Sequence, residues 1–332
     1  MKIAIVKLSA MGDIIHAMVA LQYIKKQNPS IQIDWIVEKI FEQVLENNPH
    51  INNIYTLNLK SIKKKKTEVF SQISIIKEYS KNNYDLVIDA QGLIKSAIVS
   101  KLLGKKRIGF SKNSTRESLA SNLYTTKIDS DYSKNVIERN LDILLKPLNI
   151  KITKEDILKK EPFLYFEDSF DFSSILSKNK KNILLIVGAS WPSKMYSKGK
   201  FAKIVNNIDA NFMIAWGNER EKDIAEYIAQ NSKAKVLPKI SINDLKAIVS
   251  KVDLLIGNDT GPTHMAWALN IPSITIFGCT PGYRNTYETP INKVIESKSK
   301  VDPERLNKED YSIENIDENK IIKMAKELLF ES

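Results

Sequence analysis

Asp13, Lys194 and the segment Asn258-Asp259-Thr260-Gly261-Pro262-Thr263-His264 each stand where an apolar run breaks into a polar turn that opens a helix. A carboxylate, an ammonium and a row of backbone amides are the parts needed to move a proton and hold a phosphate. At a helix start the first N–H groups lack intrahelical partners and the helix dipole adds partial positive charge, so the amides from Thr260 to Thr263 can hold a pyrophosphate. Ordinary capping explains the same residues equally, since Asp259 and Thr260 are favoured N-caps and Pro262 suits a first turn. His264 follows on that turn and can donate to a phosphate or a sugar hydroxyl, or simply be buried and internally bonded. Lys194 ends the turn Gly188-Ala189-Ser190-Trp191-Pro192-Ser193-Lys194, where it can neutralise charge on a departing phosphate; the plain alternative is a solvated lysine.

The turn Lys7-Leu8-Ser9-Ala10-Met11-Gly12-Asp13 has one glycine, not the three of a dinucleotide fingerprint, so a backbone cradle for NAD is not expected. Open α/β sheets bind ligands beyond the carboxyl ends of their strands, which is where Asp13 falls. It can take a proton from a hydroxyl nucleophile, or cap a helix beginning at Ile14. Glu221, after Trp216-Gly217, can accept from ribose hydroxyls or favour a helix N-terminus. Asp89-Ala90-Gln91-Gly92 repeats the strand-to-turn pattern, and Arg116 lies in a Ser/Asn-rich loop.

The scaffold for these residues is an alternation of short β-branched runs with helical stretches, the signature of parallel sheets covered by helices. Expected strands in the first half are Lys2 to Lys7, Ile31 to Val37, Ile54 to Leu57, Tyr84 to Ala90 and Arg107 to Phe110, with helices over Ile14 to Lys26 and Val136 to Leu145. Residues 150 to 180 change character and read as an interdomain crossing. The rhythm restarts with strands at Asn182 to Val187, Phe212 to Trp216, Lys235 to Leu237, Val252 to Ile256 and Ser273 to Phe277, and the chain ends in an amphipathic helix, Ile321 to Phe330.

At 332 residues two domains are the default, and 43% hydrophobic with 27% charged residues excludes a disordered or collagen-like chain. No apolar run reaches the ~18 residues of a membrane span, and the N-terminus reads as a strand rather than a signal peptide. One cysteine, Cys279, and three scattered histidines offer neither an internal disulfide nor a metal cluster, so a reducing cytoplasm is expected. Of the formal charge of +11, most sits in residues 1 to 150, with 23 Lys and Arg against 14 Asp and Glu. Lys60, Lys63, Lys64, Lys65 and Lys66 crowd there into a loop that is either a solubilising cluster or a magnet for phosphates, carboxylates or an anionic membrane.

Taken together, Ser9-Ala-Met-Gly-Asp13, Asp89-Ala-Gln-Gly-Leu93, Arg116-Glu-Ser-Leu-Ala-Ser, the Lys194 loop, Trp216-Gly with Glu221, and the Asn258 to His264 segment resemble glycosyltransferase family 9. The resemblance covers nearly the whole chain in order. It implies an α/β fold of GT-B architecture, two Rossmann-like domains whose parallel sheets face a central cleft: residues 1–160 for the acceptor, 161–315 for an ADP-sugar, and 316–332 as a helix packing back on the N-terminal domain. It also implies transfer of L-glycero-D-manno-heptose from ADP-heptose to the inner Kdo of Kdo-lipid A, with inversion, in lipopolysaccharide core synthesis. Asp13 is then the base and Lys194 the cation at the leaving group. Ser190, Glu221, Ile240, Asp259, Thr260, Gly261, Thr263 and His264 match donor positions, while Lys60, Lys63, Lys64, Lys66, Gln91 and Arg116 match acceptor positions. No cofactor or metal is required on this reading, and the location is the cytoplasmic face of the inner membrane, peripherally held, with no nucleic-acid partner. Other readings are a relative using a heptose acceptor, a nucleotide-sugar epimerase of the same architecture, and a polyanion-binding module, the last weakened by the absence of aromatics among the clustered lysines.

Overall fold

The computed structural model describes residues 1–330; the side chains of Lys63 and Lys64, two of the expected acceptor lysines, lie outside the described set. The chain divides into two units, Met1–Tyr165 and Phe166–Ser332. In the first, β1 (Lys2–Val6), β2 (Gln32–Glu38), β3 (Asn53–Leu57), β4 (Leu86–Asp89), β5 (Arg107–Phe110) and β6 (Thr126–Ile128) form a parallel sheet in the order β3-β2-β1-β4-β5-β6. In the second, β7 (Asn182–Ile186), β8 (Asn211–Ala215), β9 (Lys235–Val236), β10 (Leu254–Asn258), β11 (Ser273–Phe277) and β12 (Asn292–Glu296) follow the order β9-β8-β7-β10-β11-β12, again all parallel. Each unit therefore starts at its centre, winds out to one edge and returns to build the other. The direction reverses between β1 and β4 and between β7 and β10, and beside such a reversal the loops after neighbouring strands part to leave a crevice.

The central strands are mostly apolar because both faces are covered by helices: β7, β10 and β11 are buried at every residue, as are Ile3 to Val6 of β1. Helices that bear on the sites are α1 (Met11–Gln27), α2 (Ser61–Lys64), α3 (Glu68–Ser80), α4 (Ile94–Leu103) and α5 (Val136–Leu145) in the first unit, and α6 (Lys198–Asn206), α7 (Glu219–Gln230), α8 (Gly261–Ala268) and α9 (Glu318–Phe330) in the second. Three differences from the sequence reading have physical causes. Strands β6 and β12 escape it because they are edge strands with exposed, mixed residues. Helix α1 starts at Met11 rather than Ile14, so Asp13 lies inside its first turn and is not the residue that caps it. Strand β10 runs on to Asn258, a polar residue kept fully buried by its hydrogen bonds.

Within the second unit α9 buries its apolar stripe, where Ile321, Ile322, Ala325 and Leu329 join Phe201 and Val205 of α6 and Ile183, Leu254 and Ile274 of the sheet. Its first residue, Glu318, pairs with Lys203 at 2.8 Å and Lys200 at 3.5 Å, and the Tyr196 hydroxyl donates to the Ile316 carbonyl just ahead of it at 2.9 Å. Ile321 has no exposed surface, so Ile321→Ala should cost about 2–4 kcal/mol through lost burial and the cavity left behind. Denaturant unfolding checks this; unchanged stability would mean that α9 is not seated in that core.

Candidate active site

In the second unit the reversal point brings three turns together. After β7 the chain passes through Gly188 and Ser190 into a 3₁₀ turn at Pro192–Lys194, after β10 it enters Asp259-Thr260 and α8, and after β11 it reaches Cys279-Thr280. Asp259 ties them to one another. Its carboxylate pairs with Lys194 Nζ at 2.5 Å, takes the Thr280 hydroxyl at 2.7 Å and meets His264 Nε2 at 3.1 Å, all in a pocket where Asp259 is 5% and Lys194 8% exposed. Burial alone pushes the Asp259 carboxyl up, but the Lys194 ammonium and the His264 and Lys194 hydrogen bonds outweigh it and hold the group far below the usual carboxylate range. The Trp191 ring lies 5.0 Å from Lys194 Nζ, and its indole N–H donates to Cys279 Sγ. Asn258 latches the first two turns, donating to the Val187 carbonyl at 2.8 Å and accepting from the Tyr196 amide at 3.0 Å.

This geometry leaves the head of α8 without a side-chain cap. Thr260 occupies the N-cap position without a side-chain hydrogen bond, and the Asp259 carboxylate is spent on Lys194, His264 and Thr280, so neither side chain caps the helix. Thr263 and His264 donate their amides to the Thr260 carbonyl, and Pro262 has no N–H. Among the described residues the amides of Thr260 and Gly261 are left without a partner in the chain, a narrower set than the Thr260 to Thr263 row. The Thr263 side chain turns inward to the Asn258 carbonyl at 2.7 Å and is 1% exposed, so its role here is structural.

Glu221 stands beside this centre on the first turn of α7. Its carboxylate accepts from the Gly217 amide at 2.7 Å and lies against Gly188, where a Cβ would come within 2.3 Å of Glu221 Cδ. Glycine is needed at 188 because it lets that carboxylate lie over the end of β7. Ser190 is exposed on the β7 turn, and Ile240 is half-buried in the loop after β9, whose Leu237 carbonyl receives the Trp216 indole N–H at 2.7 Å. Ser190, Lys194, Glu221, Thr260, Gly261 and His264 thus all lie at the carboxyl end of one sheet.

The first unit builds a second centre at its own reversal point. Asp13, the third residue of α1, accepts from the Ala10 amide at 3.3 Å and remains partly exposed. Behind it Lys7 is buried, donating to the Ala90 carbonyl at 2.8 Å and to Asn140 Oδ1 of α5 at 3.2 Å. Burial, with the charge of Arg139, holds the Lys7 pKa below its ordinary value, and the charges of Asp13 and Asp89 offset only part of that. Gln91 braces the loop that carries Asp13, because its Oε1 accepts from the Leu8 and Ser9 amides at 3.1 and 3.0 Å. Asp89 in turn accepts from the Gln91 and Gly92 amides and from the Tyr124 hydroxyl at 2.7 Å. Gly92 has φ near +71°, a conformation L side chains rarely adopt, which explains the glycine in that turn. Lys60, Lys66 and Arg116 are exposed on the loops after β3 and β5, with Lys60 Nζ 5.7 Å from the Phe41 ring.

Sequence reasoning missed Thr280 and gave Asn258 and Lys7 no role. Thr280 had a usable signal, since it follows an apolar strand just as Thr260 does; Asn258 read as part of a polar turn and Lys7 as a strand end, and only the tertiary structure shows what they hold. Among the described residues no group of three or more His, Cys, Asp or Glu side chains is placed to hold a metal ion.

Two doubly wound sheets, with polar centres at the reversal point of each, define the GT-B class of glycosyltransferases. The family model for glycosyltransferase family 9 (heptosyltransferase) matches residues 72–310, and the chain belongs to that family. It is 42% identical to lipopolysaccharide heptosyltransferase 1 of Campylobacter coli, over 99% of both sequences. It is 27% identical to the Escherichia coli K12 protein of the same name over 86% of this chain and 91% of that one. Among solved structures, E. coli heptosyltransferase WaaC with ADP superposes with a TM-score of 0.81 at 22% identity, covering 99% of this chain and 100% of the other.

Removing Asp259 leaves the Lys194 ammonium buried without its carboxylate, so Asp259→Asn should lower stability by roughly 3–5 kcal/mol, and Lys194→Met added to it should cost less than the two single losses combined. The depressed Asp259 pKa fixes the pH sign. Its stabilisation is complete above the ordinary carboxylate value and is lost as pH falls towards the folded value, so the gap between wild type and Asp259→Asn should narrow below about pH 4. Equilibrium unfolding from pH 7 to pH 3 measures both effects, and a gap that widens on acidification would contradict the assignment.

Proposed function

We propose that the chain transfers L-glycero-D-manno-heptose from ADP-heptose to the inner Kdo of Kdo-lipid A, with inversion at the anomeric carbon. The observation that carries this reading is the pair of centres: a solvent-reachable carboxylate at the first reversal point, and at the second a lysine beside two free helix-start amides. The relatives named lipopolysaccharide heptosyltransferase 1 support the sugar and the pathway, and the WaaC structure with ADP supports an adenine nucleotide as the carrier of the sugar.

In the reaction Asp13 takes the proton from the acceptor hydroxyl as that oxygen bonds to the anomeric carbon of the donor. The bond from that carbon to the diphosphate oxygen breaks, and the electron pair leaves with ADP. Lys194 and the Thr260 and Gly261 amides stabilise the charge on the leaving diphosphate, with His264 close by as a further donor. Asp259 places Lys194 for this work, and Glu221 accepts from the ribose hydroxyls over Gly188. Ile240 packs against the adenine and Ser190 contacts the donor. The acceptor's Kdo carboxylates and lipid phosphates meet Lys60, Lys63, Lys64, Lys66 and Arg116, while Gln91 keeps the Asp13 loop in place. The stabilising cations are supplied by the protein, so the reaction on this reading needs no metal or cofactor.

The enzyme works in the cytoplasm at the inner membrane, held peripherally; none of its described helices is long and apolar enough to cross a bilayer. Exposed Phe70, Ile98 and Leu119, near Lys65, Lys66 and Lys95, support such docking.

Incubation with ADP-heptose and Kdo-lipid A should add one heptose by mass spectrometry, and its absence would sink the reading. Asp13→Ala should lower turnover at least ~10²-fold with donor binding largely kept. Gly188→Ala, which pushes Glu221 aside, should weaken ADP binding roughly tenfold without unfolding the protein; calorimetry showing full affinity would remove Glu221 from the ribose site.

A further inference from the structure

Beyond β12 the chain makes a long excursion, residues 298–311, that leaves and rejoins the second unit at one point, the end of β11. The Ser297 amide donates to the Phe277 carbonyl at 2.9 Å and its hydroxyl to the Gly278 carbonyl at 3.2 Å. On the return side the Ser312 hydroxyl donates to Ser297 Oγ at 2.8 Å, while Asp310 accepts from the Ser299 hydroxyl at 2.6 Å and the Ser312 amide at 2.9 Å. Ile313 then lies fully buried against Gly278, where a Cβ would come within 2.5 Å of the Ile313 side chain. The 3₁₀ turn to which it belongs, Ser312–Asn315, packs against the Pro192–Lys194 turn. The excursion is thus pinched shut at its base, directly beside the turn that ends in Lys194.

That base fixes where Lys308 goes. Its Nζ lies 5.1 Å from the Trp191 ring, and Lys194 Nζ lies 5.0 Å from the same ring. The ring is anchored, because its indole N–H donates to Cys279 Sγ at 3.3 Å, and Cys279 is itself buried with its sulfur 3.5 Å from the Ser193 hydroxyl. One fixed aromatic ring therefore holds two ammonium groups beyond the end of β7. They differ in charge balance. Lys194 is neutralised by Asp259, whereas Lys308 is exposed and forms no ion pair among the described residues. Residues 298–311 carry four basic and four acidic side chains, so the excursion adds no long-range field and Lys308 acts at contact distance.

We propose that Lys308 is a second cation for the donor's diphosphate, and that Trp191 is the positioning residue that holds Lys308 and Lys194 at the same crevice. That the ligand is a nucleoside diphosphate rests on the function proposed above. Charge balance is the reason for a second cation: the diphosphate arrives as an anion and gains further negative charge as the sugar–oxygen bond breaks, while the Lys194 and Asp259 pair is neutral as a unit. The free amides of Thr260 and Gly261 add only partial charges. A lysine resting on a ring stays charged and keeps its N–H donors available for a phosphate, which a lysine spent on a carboxylate does not. Trp191 acts through the two lysines and not on the reacting atoms.

Calorimetry with ADP and with AMP, and steady-state kinetics with ADP-heptose and Kdo-lipid A, test this on the full chain. Lys308→Gln should weaken ADP binding roughly tenfold and AMP binding by less than about twofold, and should lower kcat at least about fivefold. Because the residue is exposed, the same variant should leave thermal unfolding unchanged. Lys308→Arg keeps the charge and can rest on the ring, so it should recover most of the ADP affinity. Trp191→Leu should also weaken ADP, and adding it to Lys308→Gln should cost less than the two single losses combined. Unchanged ADP affinity in Lys308→Gln overturns the proposal, as does an equal loss for ADP and AMP, which would place the lysine away from the terminal phosphate. Fully additive losses in the double variant overturn the role of Trp191. A wild type that binds ADP but transfers no heptose refutes the proposed transfer and leaves Lys308 to be judged by the ADP and AMP data; a wild type that binds no ADP overturns both.

Discussion

The constraint on which everything else depends is the handedness of the parallel crossover. A strand, helix and parallel strand connect right-handedly, so a sheet that begins at its centre must place its helices on one face while it grows one way and on the other while it grows back. The two strands at the turning point send their following loops to opposite faces, and a space opens between them that no packing fills. Both units of this chain obey that rule with the same strand order. Asp13, Lys194, Glu221 and the head of α8 occupy those openings because the topology leaves polar backbone ends there with room for a ligand.

Within each opening a buried charge is held by partners from different loops. Asp259 holds Lys194, His264 and Thr280, and Lys7 is held between Ala90, Asn140 and the nearby carboxylates of Asp13 and Asp89. Such centres are expensive when a partner is lost, which makes them rigid. Rigidity is what a site for a transition state requires, because a donor misplaced by an ångström loses most of its effect.

Much of this was legible in the sequence. Strands such as Arg107–Phe110 and Ser273–Phe277 show as apolar β-branched runs, and Asp13, Lys194 and Thr260 stand out because each breaks such a run. What local pattern could not show was the direction each side chain takes. Thr263 has the type and place of a ligand contact, yet its hydroxyl is needed by the Asn258 carbonyl. Asp259 has the type of a cap, yet a lysine from a turn some 65 positions earlier claims it. Gln91 has the place of a substrate contact, yet its carbonyl oxygen holds the backbone of Leu8 and Ser9. The stripe on α9 announced burial without saying where, since any apolar surface of matching shape satisfies it.

The pairing of Lys194 with Asp259 sets the two units apart in how they meet their ligands. At rest the ammonium is neutralised by a carboxylate 2.5 Å away, so the head of α8 projects little field into solution, and on the function proposed above a nucleotide would be retained there through contacts made after arrival. The first unit instead carries most of the chain's surplus positive charge, 23 Lys and Arg against 14 Asp and Glu in residues 1–150, and draws anions over a Debye length. On the function proposed above, salt in the surrounding medium should therefore slow capture of the acceptor while leaving that of the donor almost unchanged, so ionic strength becomes a means of changing the order in which the two are bound.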